Sequence, residues 1–410
     1  MTEQSAALYV HFPYCVSICP YCDFDRQATG FASIPRYVDA VATEIAGQRR
    51  RPIHSVFFGG GTPSLMGPEQ VERLLSAARQ SLDVLPGCEI SLEANPGECS
   101  PERLAGFRMA GVDRLSIGVQ SLHDPTLALL GRRHSAEEAR TAYRAAREGG
   151  FDNVNLDLML GLPGMEVSGW LETLDGAIEL GPEHLSCYIL TVDERVPMGR
   201  DVASGRLRLP DDDAVAEQYE ATAARLAGAG YERYEVSNWA RPAWACRHNL
   251  TYWRDEPFIG VGAGAAGWLD GVRTKNTPSP RRYMASIAAG AVERVEAERP
   301  TRLTQAEDFL ALGLRLREGI EPRQFEARFG MSLSEALGDV TEQLIQAGCL
   351  ESVADRLRIA EGSVLVTNEL LLRLHEALAQ GVPYAGDEPT RSGDASLQPS
   401  AEQQQVALPI

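Results

Sequence analysis

Three of the eight cysteines in this 410-residue chain fall within one short run, Cys15-Val-Ser-Ile-Cys19-Pro-Tyr-Cys22. A CxxxCxxC loop offers three thiolates, and each can hold one corner iron of a cubane [4Fe–4S] cluster, leaving the fourth iron without a cysteine. An iron left open in this way can chelate a small molecule and pass it an electron. The local alternatives are three buried thiols or a zinc knuckle completed by His11, although a structural zinc site usually takes four ligands in two separated pairs. Cys88, Cys99, Cys187, Cys246 and Cys349 are scattered and read as packing thiols.

The elements that must position this loop follow from periodicity. β-rich apolar runs at Leu8 to Phe12, Ser55 to Phe58, Glu89 to Leu92, Arg114 to Val119, Asn153 to Leu160 and His184 to Leu190 alternate with helix-periodic stretches. The helices are expected at Tyr37 to Gln48, Pro68 to Ser81, Pro101 to Ala110, Ala136 to Glu148, Val167 to Glu179 and Asp212 to Ala227. Six strand-then-helix units imply an α/β fold with a parallel sheet and outer helices. Such folds place ligands at the C-terminal ends of their strands, where Gly59-Gly60-Gly61-Thr62, Glu93 and Gln120 fall here.

Residues 231–290 are rich in glycine and aromatics and close this first domain, expected over 1–290. From Thr301 to about Ala379 the pattern changes to three helices (Glu307 to Arg317, Pro322 to Phe329, Ser334 to Ala347) and a hairpin turning at Ala354-Asp355. That reads as a small winged-helix-like domain over 300–380. Residues 385–410 are poor in apolar side chains and are expected to be a disordered tail. Within Thr301 to Gln380, 8 Arg or Lys stand against 13 Asp or Glu, the reverse of a DNA footprint. The whole chain carries 57 acidic and 39 basic residues, a net charge of −18, so no nucleic-acid partner is expected. No apolar run approaches a membrane span and no signal peptide is legible, which makes a cytoplasmic location the expectation. Cysteines in that compartment are not disulfides by default, and their crowding points to metal or catalysis.

The triplet and its surroundings resemble the radical S-adenosylmethionine superfamily. More narrowly, Leu8-Tyr-Val-His-Phe-Pro-Tyr-Cys15, Phe58-Gly-Gly-Gly-Thr-Pro-Ser64, Ser91-Leu-Glu-Ala-Asn-Pro96, Leu115-Ser-Ile-Gly-Val-Gln-Ser121 and Asn155-Leu-Asp-Leu-Met-Leu-Gly-Leu-Pro163 resemble the oxygen-independent coproporphyrinogen III oxidases and their HemW-type heme-chaperone relatives. The resemblance implies an incomplete (β/α)6 barrel and a [4Fe–4S] cluster on Cys15, Cys19 and Cys22. It also implies S-adenosylmethionine as cofactor, with the glycine turn at its amino-acid end through Gly60, Gly61 and Thr62. Tyr9, Glu93, Gln120, Arg132 and Asp157 map onto further nucleotide or methionine contacts. Those types suit the ligand, since carboxylates meet an ammonium or ribose hydroxyls and a guanidinium meets a carboxylate bidentately. Taken singly, each also fits a helix cap or a surface ion pair.

Two departures bear on the branch. The oxidases carry a further cysteine two residues beyond the triplet, where this chain has Phe24, and an arm of several tens of residues ahead of the cluster, where this chain has 14. Conversely, Arg247-His248-Asn249-Leu-Thr-Tyr252-Trp253 resembles the HNxxYW heme motif of the chaperones: His248 as a nitrogen ligand to heme iron, with Asn249, Tyr252 and Trp253 beside it. A histidine beside aromatics is also commonly a hydrogen-bonded packing residue. The expectation is a heme chaperone that binds heme and hands it to an acceptor protein such as a respiratory enzyme. The alternative is a coproporphyrinogen III oxidase, which decarboxylates its substrate with a 5′-deoxyadenosyl radical. Whether a homodimer forms is left open.

Overall fold

The computed structural model describes residues 4–381, so the tail expected over 385–410 lies outside the described residues. Six strands, β1 (Ala6–Phe12), β2 (Pro52–Gly60), β3 (Asp83–Ala94), β4 (Arg114–Gln120), β5 (Asn153–Leu160) and β6 (His184–Ile189), lie parallel and side by side in chain order. The helices between them begin where the sequence supplies start signals. Pro68 and Pro101 occupy first-turn positions, Ser100 accepts from Arg103 N–H, and Ser135 forms a capping box with Glu138.

Beyond β6 the chain adds β7 (Glu232–Arg233) and β8 (Asn238–Ala240) antiparallel on that side, then crosses to place β9 (Phe258–Val261) parallel to β1. β10 (Ala266–Leu269), β11 (Val272–Asn276) and β12 (Arg294–Glu298) continue antiparallel beyond it. The order is β12-β11-β10-β9-β1-β2-β3-β4-β5-β6-β8-β7, a mixed sheet that is not closed into a barrel.

Parallel strands covered on both faces usually read as continuous apolar runs. Here four of them alternate. Ile90 and Leu92, Leu115 and Ile117, Val154 and Leu156, and Leu185 and Cys187 join the hydrophobic core under the helices. Glu89, Ser91 and Glu93, Arg114 and Ser116, Asn155 and Asp157, and His184 and Ser186 take the opposite face. Each buried leucine contributes about 2 kcal/mol of transfer free energy, so the helix-covered face is the stabilising one. The other face is polar and lines the concave interior.

The helices Arg302–Gly313, Pro322–Phe329, Leu333–Leu337, Val340–Gln346 and Thr367–Gly381 surround a hairpin of β13 (Leu350–Val353) and β14 (Arg356–Ile359). The single helix expected over Ser334 to Ala347 is broken at Gly338 (φ 54°). The hairpin turns at Ala354 and Asp355, both with positive φ. A further helix, Thr367–Gly381, buries Leu370, Leu371, Leu374 and Leu378, an apolar helical period left unread in the sequence. This C-terminal segment is fastened to the sheet by Arg233 with Glu361 (2.8 Å) and by Arg317 N–H donating to Tyr234 C=O (3.0 Å). No helix among the described residues is long and apolar enough to cross a membrane.

Candidate functional site at the C-terminal ends of the strands

The cysteine loop leaves β1 and is tied at its base. Cys15 N–H donates to Gln27 C=O (3.0 Å), and Gln27 N–H donates to Pro13 C=O (2.7 Å). Between these ties, Cys15, Cys19 and Cys22 are half-buried free thiols, with Cys22 N–H donating to Cys19 C=O (3.2 Å). Arg26 folds back on the loop, donating to the carbonyls of Phe24 (2.8 Å) and Cys22. Burial pushes the Cys15 thiol up to about 11, with a hydrogen bond to Thr62 opposing, and raises Cys22 as well. As free thiols Cys15 and Cys22 are held uncharged, and metal binding would release their protons.

The glycine turn after β2 is laced to the start of that loop. Gly61 N–H donates to Phe12 C=O (2.8 Å) and Thr62 N–H to Tyr14 C=O (2.9 Å). A Cβ on Gly61 would lie 2.7 Å from Phe12 C=O and 3.1 Å from Cys15 Sγ. A Cβ on Gly60, at φ 110°, would lie 2.4 Å from the His11 ring. Both positions therefore need glycine for close approach, and Gly60 for its conformation as well.

Arg132 and Asn95 complete this wall. The guanidinium donates to Asn95 Oδ1 (2.5 Å), to Gly118 C=O (2.7 Å) and to Cys19 Sγ (3.6 Å), while Asn95 Nδ2 donates to Thr62 Oγ1 (2.9 Å). Gln120 ends β4 with φ 66°, left-handed backbone that a residue other than glycine adopts at a cost of about 1 kcal/mol or more.

Inside the rim, Glu93 accepts from Gly60 N–H (3.1 Å). Burial, and then the charge of Asp157, push its carboxyl up to about 8. Asp157 is also raised by burial, against hydrogen bonds from Ser116 Oγ (2.9 Å) and Asn155 Nδ2 (2.8 Å). Both carboxyls are half-buried, with the Arg114 charge acting on Asp157 alone, and a positively charged ligand would stabilise their ionised forms. Tyr9 lies deeper, its hydroxyl 2.9 Å from His11 Nδ1.

This donor set suits the cofactors that the resemblance implies: three thiols on one loop, a backbone turn without side chains, two carboxyls raised by burial and a guanidinium. The zinc alternative fares worse. His11 uses Nδ1 with Tyr9 and Nε2 with Asp25 C=O (2.8 Å), leaving no nitrogen to complete a knuckle. Among the described residues no three His, Cys, Asp or Glu side chains converge on one ion. A cubane asks each thiolate for a different iron, so convergence is not its requirement.

The helix Arg247–Trp253 sits at the other end of the strands. His248 is buried, with Nδ1 3.0 Å from Ser55 Oγ and Nε2 2.9 Å from Tyr252 Oη. Its ring stacks on Phe57 with centroids 5.0 Å apart, and burial lowers its pKa to about 3. Tyr252 packs edge-on to Phe258, and Trp253 packs on Leu312 and Leu316 of the C-terminal segment. Asn249 is half-buried on the same helix. A free imidazole beside an open aromatic face, expected for heme, is thus absent as folded: both ring nitrogens are partnered and both aromatics are buried. Glu89 holds the start of this helix, accepting from Arg247 N–H (3.0 Å), His248 N–H (3.3 Å) and Cys246 Sγ–H (3.4 Å).

The structure thus gathers Cys15, Cys19, Cys22, Gly60, Gly61, Thr62, Glu93, Gln120, Arg132 and Asp157 on the C-terminal side, and places the HNxxYW residues apart from them. Sequence reasoning passed over Asn95, Ser116, Asn155, His184 and Glu89. Their signal was the alternation of polar residues along β3 to β6.

A family model for the radical SAM superfamily matches residues 9–177, and one for the HemN C-terminal domain matches residues 301–362. The chain is 34% identical to heme chaperone HemW of Bacillus subtilis over 369 residues (88% of this chain, 97% of that protein). It is 37% identical to heme chaperone HemW of Escherichia coli (89% and 97%). It is 38% identical to the mitochondrial radical S-adenosyl methionine domain-containing protein 1 of Bos taurus (93% and 90%). Among solved structures, coproporphyrinogen III oxidase (HemN) of Escherichia coli shares the fold, with TM-score 0.78 and 22% identity over 91% of this chain and 90% of that one. The chain belongs to the radical SAM superfamily and, within it, to the family of proteins named heme chaperone HemW.

Proposed function

We propose that this protein is a cytoplasmic heme chaperone that binds heme and passes it to an acceptor protein such as a respiratory enzyme, with a [4Fe–4S] cluster and S-adenosylmethionine as cofactors. The observation that carries this reading is 34% to 38% identity to HemW proteins over nearly their whole length. Phe24 in place of a further cysteine agrees with it.

In this reading Cys15, Cys19 and Cys22 hold the cluster. Gly60, Gly61 and Thr62 leave bare backbone for the methionine end, and Arg132 faces its carboxylate. Glu93 receives the ammonium, while Asp157, Gln120 and Tyr9 line the nucleotide side. When bound, the reduced cluster can supply one electron to the sulfonium, chemistry that belongs to the cofactor pair rather than to the chain. The residues hold, orient and screen it.

Heme needs an apolar face. The HNxxYW helix offers none as folded, but Val16, Ile18, Phe24 and Phe31, all on or just after the cysteine loop, are each at least 40% exposed. We assign the heme contact to this loop surface. Titration of the cluster-reconstituted protein with heme tests the function: a saturable Soret shift is expected, retained in His248→Gln and weakened in Phe24→Ser. Failure of wild-type protein to bind heme better than a control protein would overturn the chaperone reading. Anaerobic turnover of coproporphyrinogen III would replace it with the oxidase activity.

A further inference from the structure

A chain of side-chain hydrogen bonds runs from the foot of the C-terminal segment to Asp157. Tyr234 Oη lies 2.9 Å from His184 Nε2, His184 Nδ1 lies 2.7 Å from Asn155 Oδ1, and Asn155 Nδ2 lies 2.8 Å from Asp157 Oδ1. The direction of each bond can be worked out from its end. The Asp157 carboxylate accepts, so Asn155 presents its amide N–H there and to Ser116 Oγ (2.7 Å), and its oxygen points back to His184. Ser186 Oγ also donates to that oxygen (3.2 Å), and an imidazole nitrogen 2.7 Å from an acceptor oxygen must carry the proton, which places it on Nδ1 of His184. Nε2 is then an acceptor and Tyr234 O–H is its donor. Burial, with the Arg114 charge nearby, holds His184 well below its ordinary pKa, so the ring stays neutral with a single tautomer. Every donor in the series points toward Asp157.

The far end of the series is not free. Tyr234 C=O accepts from Arg317 N–H (3.0 Å), the next residue, Glu235, bridges to Leu316, and Arg233 pairs with Glu361 (2.8 Å). The backbone that carries the tyrosine is therefore clamped by the C-terminal segment on both sides of it.

We infer that Tyr234 and His184 are positioning residues that fix the orientation of Asp157 and make it depend on how the C-terminal segment is seated. This rests on the reading that Asp157 contacts the nucleotide of S-adenosylmethionine. Removing the tyrosine O–H leaves the buried Nε2 without its donor and the imidazole held from one side alone. The Nδ1–H that orients the Asn155 oxygen, and through the amide the N–H that reaches Asp157, is then no longer fixed in place. Seating of the C-terminal segment and shape of the nucleotide side become one linked equilibrium.

Equilibrium dialysis of S-adenosylmethionine against the cluster-reconstituted full chain tests this, comparing wild type, Asp157→Asn, Tyr234→Phe, Glu361→Gln and the double variants. Tyr234→Phe keeps the ring and its packing, and is expected to weaken binding about tenfold, the scale of one hydrogen bond to a charged group. Glu361→Gln, acting from the surface, is expected to weaken it about twofold to threefold. In the Asp157→Asn background both are expected to add nothing, which a general loss of structure would not reproduce. Wild-type affinity in Tyr234→Phe alongside weak binding in Asp157→Asn would overturn the inference and leave the cofactor reading standing. Wild-type affinity in Asp157→Asn would overturn that reading, and the inference with it.

Discussion

At the C-terminal ends of β1 to β4 the chain leaves thiols and a guanidinium on loops tied by a few backbone hydrogen bonds, beside a raised carboxyl on β3. At the N-terminal ends of the same strands, the helix Arg247–Trp253 fills the interior with polar atoms that already have partners. His11 and His248 show the contrast at residue level. His11 spends its nitrogens bracing the cysteine loop through Asp25 C=O, and His248 spends its own on Ser55 and Tyr252. Half-buried thiols and raised carboxyls mark the one end as a candidate ligand site, and the buried, partnered side chains of the other mark a packed plug.

The sharpest way to separate the two ends is to remove a thiol. Cys19→Ser is expected to reduce reconstituted iron and sulfide from a full cluster to near none while the ligand-free fold is kept, since the loop base is held through Cys15 and Gln27 backbone; iron and sulfide assays with a urea midpoint check both halves. At the plug the outcome should invert. Trp253→Ala is expected to cost about 3–5 kcal/mol in urea denaturation, with cluster content per folded molecule unchanged. His248→Ala strands the Ser55 and Tyr252 hydroxyls and is expected to cost about 2–3 kcal/mol. Were His248→Ala instead stable but blind to heme, the plug would be a ligand site after all.

Acidity gives a subtler comparison. Glu93 has a folded pKa of about 8, above its ordinary 4.5, so the folded chain keeps a proton that the unfolded chain has released between those values. Ligand-free protein should therefore lose stability as pH rises from about 5 to 8, and Glu93→Gln should flatten that slope in urea titrations. His248 runs the other way: its folded pKa of about 3 lies below the ordinary value, so its contribution is lost as pH falls from about 6.5. The smallest stability effect is expected at Phe24→Ser, within about 0.5 kcal/mol, although its heme affinity should fall.

Much of the fold could be read along the chain because its signals are local. The helices Pro68–Ser81, Pro101–Ala110 and Ala136–Glu148 span the residues that periodicity predicts. The cysteine triplet was legible for the same reason, since its chemistry depends on spacing within one loop. Asn155 and His184 were not, because they matter through cross-strand register: Asn155 stands opposite His184, and Ser116 opposite Asn155. The packing of the HNxxYW helix was illegible for a related reason. Spacing puts His248 and Tyr252 on one helix face, but only packing shows that this face turns inward onto Phe57 and Ser55. Gly338 was passed over as a break since an isolated glycine inside an apolar period is compatible with a continuous helix.

A sheet that stops short of closure ends in two outer strands whose free backbone groups would invite other chains to add on. Here one outer strand, β12, is the fully exposed Arg-Val-Glu-Ala-Glu, its mixed charges unsuited to stacking, and the other, β7, is only two residues long and fastened by Arg233 to Glu361. The unclosed sheet thus comes with blunted margins, which oppose the edge-to-edge pairing of one copy with the next.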